Sequence, residues 1–128
     1  MRSSFRSRTN RTHGRRAYAD QIENDIRLAR FLSEEVDRRP SFQRLADPVL
    51  SIANFRWRPT DRSRSDADLD RINRRIINRL VADGAYFLAP TILKGRTALR
   101  VSITNFRTRE DDLVALLEEV ERLGRSIL

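Results

Sequence analysis

From Arg16 to Arg39 the apolar positions Tyr18, Ile22, Ile26, Ala29, Leu32 and Val36 recur at steps of three and four residues. That period places them on one face of an amphipathic helix. Glu23–Arg27, Glu34–Arg38 and Glu35–Arg39 are spaced i,i+4 with the acid first, the orientation that adds a few tenths of a kcal/mol per pair. Pro40 ends the helix, and the period then drops to two. Phe42 to Ala46 and Val49 to Trp57 predict two strands parted by the turn dipeptide Asp47-Pro48. The second is apolar on both sides, with Leu50 and Ile52 on one and Ala53, Phe55 and Trp57 on the other. A strand of that kind needs two covers.

Residues 58 to 67 are polar and predict a loop, with Asp66 or Asp68 as the cap of a second helix. Leu69, Ile72, Ile76, Leu80 and Val81 form its apolar stripe, and Gly84 is placed to follow its end. Tyr86 to Leu93 and Thr97 to Thr104 predict a hairpin turned by Lys94-Gly95. Pro90 assigns the first of these strands to a sheet edge or a bulge. Thr108 with Asp111 has the spacing of a capping box. The final helix carries Leu113, Leu116, Leu117, Val120 and Leu123 on one face and is expected to stop at Gly124. The order α-β-β-α-β-β-α, with hairpins separated by helices, defines an α+β fold: an antiparallel sheet with three helices on one face.

Composition narrows the function classes. With 39% hydrophobic and 34% charged residues, the 128-residue chain reads as a single soluble globular domain. The absence of cysteine excludes disulfides, thiolate metal sites and cysteine nucleophiles. No apolar run approaches the roughly 20 residues of a membrane span. The N-terminus has no apolar core of a signal peptide, so a cytoplasmic location is the expectation. The net charge of +8 suggests nucleic acid until its distribution is read. Arg2, Arg6, Arg8, Arg11, Arg15 and Arg16 fall in the first sixteen residues with no acid among them. The rest of the chain is close to balanced, which argues against a nucleic-acid surface on the folded body. Residues 1 to 13 show neither period, and a disordered basic tail is expected there. It could be a basic arm, a transit peptide or sequence foreign to the fold. Its lack of an apolar face counts against the transit peptide.

The candidate chemistry is sparse. Lys94 is the only lysine, and a nucleophilic or Schiff-base amine needs desolvation or a cationic neighbour to lower its pKa. A hairpin tip supplies neither, so it reads as a solvated turn residue. His13 stands alone with no metal-ligand spacing. Glu110, Asp111 and Asp112 open a helix, where acids ordinarily complement the macrodipole. The string KGRTALRV shares only Lys-Gly with the RNA-recognition signature, and Arg96, Leu99 and Val101 occupy the places of its base-stacking aromatics. Arg100 is the residue of interest. Leu99, Val101 and Ile103 alternate with it and must face the helices, so Arg100 projects from the other side among small residues. Two readings stay open from the residues alone: a solvated outer face, or a guanidinium placed to meet a carboxylate.

From Gly14 onward the stretches GRRAYADQIENDIRLARFL, the Pro-x-Phe of PSF, LSIANFRWRP, LDRINRRIINRL, GAYFLAPTILKGRTALRVSITNFRT and LVALLEEVERLGR run in order. They resemble the C-terminal small domain of the group II pyridoxal-phosphate-dependent amino-acid decarboxylases. The resemblance implies a fold-type I carboxy-lyase acting on an amino-acid substrate as a homodimer. It implies that a separate large domain holds pyridoxal 5′-phosphate through a His-Lys pair. That pair is missing here: Lys94 follows Leu93, and His13 precedes Gly14. No catalytic, cofactor-binding or metal-binding residue is therefore assigned to this chain, which is expected to be inactive alone. Arg100 matches an arginine that in some relatives meets a substrate carboxylate. Residues 1 to 13 depart from the tryptophan-bearing segment of the family, which points to a truncated or disturbed reading frame. Ala53-Asn54 stands where relatives carry apolar or cysteine residues. With the large domain absent, the Phe55 and Trp57 face is expected to be open and prone to self-association. The alternative is a non-catalytic interaction module, completing a separate large domain or binding nucleic acid through its tail.

Overall fold

The computed structural model describes residues 2–84, 87–104 and 108–128, with side-chain surroundings from residue 15 onward. Its order is α1 (Arg2–Arg38), β1 (Phe42–Val49), β2 (Ile52–Trp57), α2 (Asp66–Ala82), β3 (Leu88–Leu93), β4 (Arg96–Ser102) and α3 (Glu110–Ile127). The four strands form one antiparallel sheet in the order β1-β2-β4-β3. All three helices lie on one face of it: α1 against β1 and β2, α2 against β3 and β4, and α3 against both other helices. The α+β arrangement expected from the pattern is the one observed.

Helix α1 buries Leu28, Ala29, Leu32 and Val36, whereas Tyr18 and Ile22, earlier on the same stripe, remain exposed. The cause is length. A 37-residue helix extends ~55 Å, about twice the reach of an eight-residue strand, so its N-terminal half overruns the sheet. Its backbone is helical from Arg2, where a disordered tail over residues 1–13 was expected; the side chains of that stretch, His13 included, lie outside the described residues. Of the anticipated i,i+4 pairs, Glu35–Arg39 forms at 3.0 Å. Arg38 turns to Glu35 instead of Glu34, and Arg27 bonds Asn24.

The first hairpin turns at Leu50-Ser51, with Leu50 at φ 52°. Asp47-Pro48 lies inside β1, where the register slips between Ala46 and Val49. An edge strand with a bulge tolerates a proline that has no N–H to donate. The second hairpin turns as expected, Lys94 and Gly95 both holding the positive φ of a tight turn (54° and 76°). Pro90 lies on β3, an edge strand.

The helix caps differ in detail from the expectation. Ser65 caps α2 by accepting the backbone N–H of Asp68 at 3.2 Å, so neither Asp66 nor Asp68 does. At the other end Gly84 takes φ 97° and donates to Val81 O at 3.0 Å. On the stripe of α2, Ile77 and Asn73 are buried and Val81 is exposed. Helix α3 begins one residue later than the Thr108/Asp111 box implied: Asp112 accepts from Arg109 N at 2.9 Å. Gly124 does not stop it, because α3 runs on to Ile127.

The inner side of the sheet carries Ala53, Phe55, Trp57, Leu99 and Val101 into one core with the buried faces of the helices. Phe55 and Trp57 are therefore closed, not open as expected. The strand does present two unlike faces, but Phe55 and Trp57 are on the one that the helices cover. Gly124 explains how Trp57 fits. A Cβ at that position would stand 2.5 Å from Trp57 Cδ2, so only a glycine lets the indole lie flat on α3. The indole Nε1 donates to Glu121, whose carboxylate also accepts from Ser41 Oγ at 2.9 Å.

Candidate functional site

The face of the sheet turned away from the helices is polar in its centre. Pairing sets Gln43 beside Arg56 and Asn54 beside Arg100, with Ala89 on the far side of Arg100. Arg56 is almost wholly buried. Its Nε donates to Gln43 Oε1 at 2.7 Å, and its terminal nitrogens reach Asp66 Oδ1 at 3.2 Å. Arg96 approaches the other oxygen of Asp66 at 3.5 Å. The hydrogen bond from Arg56, with the charges of Arg96 and Arg56, holds the Asp66 carboxyl below the usual carboxylate range. The Arg58 guanidinium is held below its ordinary value, first by burial and then by the charges of Arg62, Arg56 and Arg96. One carboxylate thus stands among several guanidinium groups, leaving this end of the face positive.

Arg100 is exposed on β4, between Asn54 and Ala89. It has no ion-pair or hydrogen-bond partner among the described residues. Its small neighbours leave the guanidinium fork free to take a carboxylate in two parallel bonds. The other candidates are not brought to it. Lys94 is exposed at the distal hairpin tip, six residues along the chain. Glu110, Asp111 and Asp112 belong to the first turn of α3, on the helical side of the sheet. Among the described residues no group of His, Asp and Glu could hold a metal ion, and no helix is long and apolar enough to cross a membrane. Tyr86 and the Asn105-Phe106-Arg107 stretch of the resemblance lie outside the described residues.

Two side chains that pattern reasoning passed over shape the edge of this face. The register Phe55↔Leu99, continued by two residues, would pair Trp57 with Thr97. That rung is replaced by side chains from α2. Asn73 accepts from Trp57 N at 2.8 Å and donates to Trp57 O at 2.9 Å and to Leu69 O at 2.8 Å. Asp70 accepts from Thr97 N at 2.8 Å. The plug satisfies the sheet's backbone groups where β2 and β4 part, beside Arg56 and Arg96. Its signal in the sequence is a polar residue, Asn73, sitting on the apolar stripe of α2.

No protein-family model matches the chain. It is 21% identical over 111 residues to an aromatic-L-amino-acid decarboxylase of Bacillus atrophaeus, a stretch that is 87% of this chain and 23% of that protein. Its structure matches the glutamate decarboxylase domain of diaminobutyrate-pyruvate transaminase and L-2,4-diaminobutyrate decarboxylase from Vibrio parahaemolyticus. That match has a TM-score of 0.67 and 26% identity over 85% of this chain and 22% of that one. Tryptophan decarboxylase of Catharanthus roseus, in complex with L-tryptophan, matches at a TM-score of 0.72 and 21% identity over 88% of this chain and 24% of that one. The fold and these likenesses together define an α+β unit of the kind found within pyridoxal-phosphate-dependent amino-acid decarboxylases. The chain resembles the small domain of the group II enzymes of that class, and it spans about a quarter of the length of the relatives it matches.

Proposed function

We propose that this chain serves as the small domain of a pyridoxal-phosphate-dependent amino-acid carboxy-lyase, with its outer sheet face turned toward a larger cofactor-bearing portion and Arg100 directed at the substrate carboxylate. The observation that carries the reading is the coverage: nearly all of this chain corresponds to about a quarter of each decarboxylase. The exposed guanidinium on the face opposite the helices supports the role given to Arg100. The larger portion, a homodimer partner and a cytoplasmic location belong to the same proposal.

The residues of this chain do not fit the cofactor itself. Pyridoxal phosphate supplies the electron sink for loss of CO2 and needs an amine for its covalent attachment. Lys94, the sole lysine, is exposed at the tip of the β3–β4 hairpin, six residues along the chain from Arg100. What this chain contributes is a rigid sheet that positions a guanidinium for a carboxylate and closes water out on one side.

The test supplies the missing portion. The Bacillus atrophaeus relative is expressed without the stretch that matches this chain, and CO2 release from amino acids is measured with added pyridoxal phosphate. Neither part alone should release CO2, and the two together should. Arg100→Ala should then lower kcat/KM while leaving the stability of this chain within about 0.5 kcal/mol, as for an ordinary surface substitution. CO2 release by this chain alone would refute the assignment.

A further inference from the structure

Among the described residues Asp25 is a buried carboxylic acid with an unpartnered oxygen. It sits on α1 at 5% exposure, and its Oδ1 has no hydrogen-bond partner among the described residues. A buried carboxylate left in that state costs stability, since its charge loses water and gains nothing in return. Burial pushes its pKa up. Gln21, one helical turn away and able to donate to it, instead donates to Thr104 O at 3.3 Å.

The same carboxylate lines a cleft of about 220 Å³ between α1 and the tip of the first hairpin. The rest of the wall is Tyr18, Ile22, Ile26 and Leu50, with the polar residues Gln21, Ser51 and Thr104. Tyr18 is 67% exposed and Leu50 is 71% exposed. Leu50 also holds a positive φ that a bulky side chain rarely adopts. Apolar surface kept open around an unsatisfied buried acid describes a receptor for a group that is cationic at its end and apolar along its stem.

We propose that this cleft binds a protonated amine or guanidinium carried on an apolar stem, with Asp25 as its counter-ion. The carboxylate offers a charge-assisted hydrogen bond, and Tyr18, Ile22 and Leu50 cover the stem. A free arylalkylamine and the lysine or arginine side chain of a docking polypeptide share this chemistry. The proposal is independent of the decarboxylase reading, because it uses neither Arg100 nor the outer sheet face.

The experiment is a titration of the isotopically labelled chain, followed through its backbone amide resonances, with four probes: 2-phenylethylammonium, butylammonium, butylguanidinium and the neutral 2-phenylethanol. Saturable shifts at Gln21, Asp25 and Ser51 are expected with the cations, at least tenfold tighter than with 2-phenylethanol, and Asp25→Asn should abolish them. If 2-phenylethylammonium binds tightest, the natural occupant is a free arylalkylamine. If a butyl probe does, it is a lysine or arginine side chain. The urea midpoint of Asp25→Asn without ligand should equal or exceed that of the unaltered chain. Equal binding of the neutral probe, binding that survives in Asp25→Asn, no saturable shift with any cation, or a clear loss of stability in that variant would each overturn the proposal.

Discussion

Trp57→Ala lowers the unfolding free energy by about 3–5 kcal/mol, the range for truncating a fully buried aromatic side chain. The indole is 1% exposed, lies on Gly124 of α3 and donates to Glu121 of the same helix, so β2 and α3 lose their common contact. A domain of this size has only about 5–15 kcal/mol in total, which makes the loss decisive for whether the chain is folded at 37 °C. Urea unfolding should be followed by far-ultraviolet circular dichroism, because Trp57 is the only tryptophan and its fluorescence disappears with it. Gly124→Ala supplies the internal check. Alone it should cost about 1–3 kcal/mol by overpacking, since the added methyl would meet an indole that has no room to retreat. In the Trp57→Ala background the same methyl falls into the cavity, and its cost should vanish or reverse. Additive losses would mean that the glycine is not there for the indole.

Asn73→Ala is the second large effect, about 3 kcal/mol. The side chain serves both backbone groups of Trp57, and alanine leaves an N–H and a C=O buried without partners at about 1–3 kcal/mol each. Because the neighbouring rung of the sheet is already open, no strand can take over. Asn78→Ala on the exposed side of the same helix should cost nothing and serves as the control. Hydrogen exchange should show the Trp57 amide losing protection in Asn73→Ala while the Phe55 amide keeps it. Unchanged protection at Trp57 would show that β2 and β4 can close the rung without α2.

These two residues also mark where pattern reading reaches its limit. The three helices, four strands and their order were legible because each segment repeats one period long enough to bury a face: Leu113, Leu116, Leu117, Val120 and Leu123 admit no other reading. The Lys94-Gly95 turn was legible because two successive positive φ angles demand such a pair. What failed were features set by contacts between elements. Gly124 has the look of a helix stop, and only its contact with Trp57 reveals a packing residue. Asp47-Pro48 has the look of a turn, yet a bulge at a sheet edge absorbs it. Tyr18 and Ile22 belong to the right stripe, but the sheet ends before it reaches them. Phe55 and Trp57 were placed on a face of their own, and the choice of which face the helices cover cannot be made from one strand.

The candidate site was legible in one respect. The alternation of Leu99, Val101 and Ile103 forces Arg100 to the opposite face, and that is where an exposed guanidinium stands. Its surroundings were not legible. The burial of Arg56 between Gln43 and Asp66 depends on strand register and on a helix start ten residues away, and Asp25 gives no sign in the sequence that it lacks a partner.

A chain that serves as the proposed decarboxylase small domain, with the cofactor held by a separate portion, should not take pyridoxal phosphate covalently. This is tested most directly by incubating the purified chain with pyridoxal 5′-phosphate, reducing with borohydride and measuring the intact mass. The unmodified mass is expected, with no reduced imine on the hairpin. A stoichiometric cofactor adduct mapped to Lys94 would contradict it.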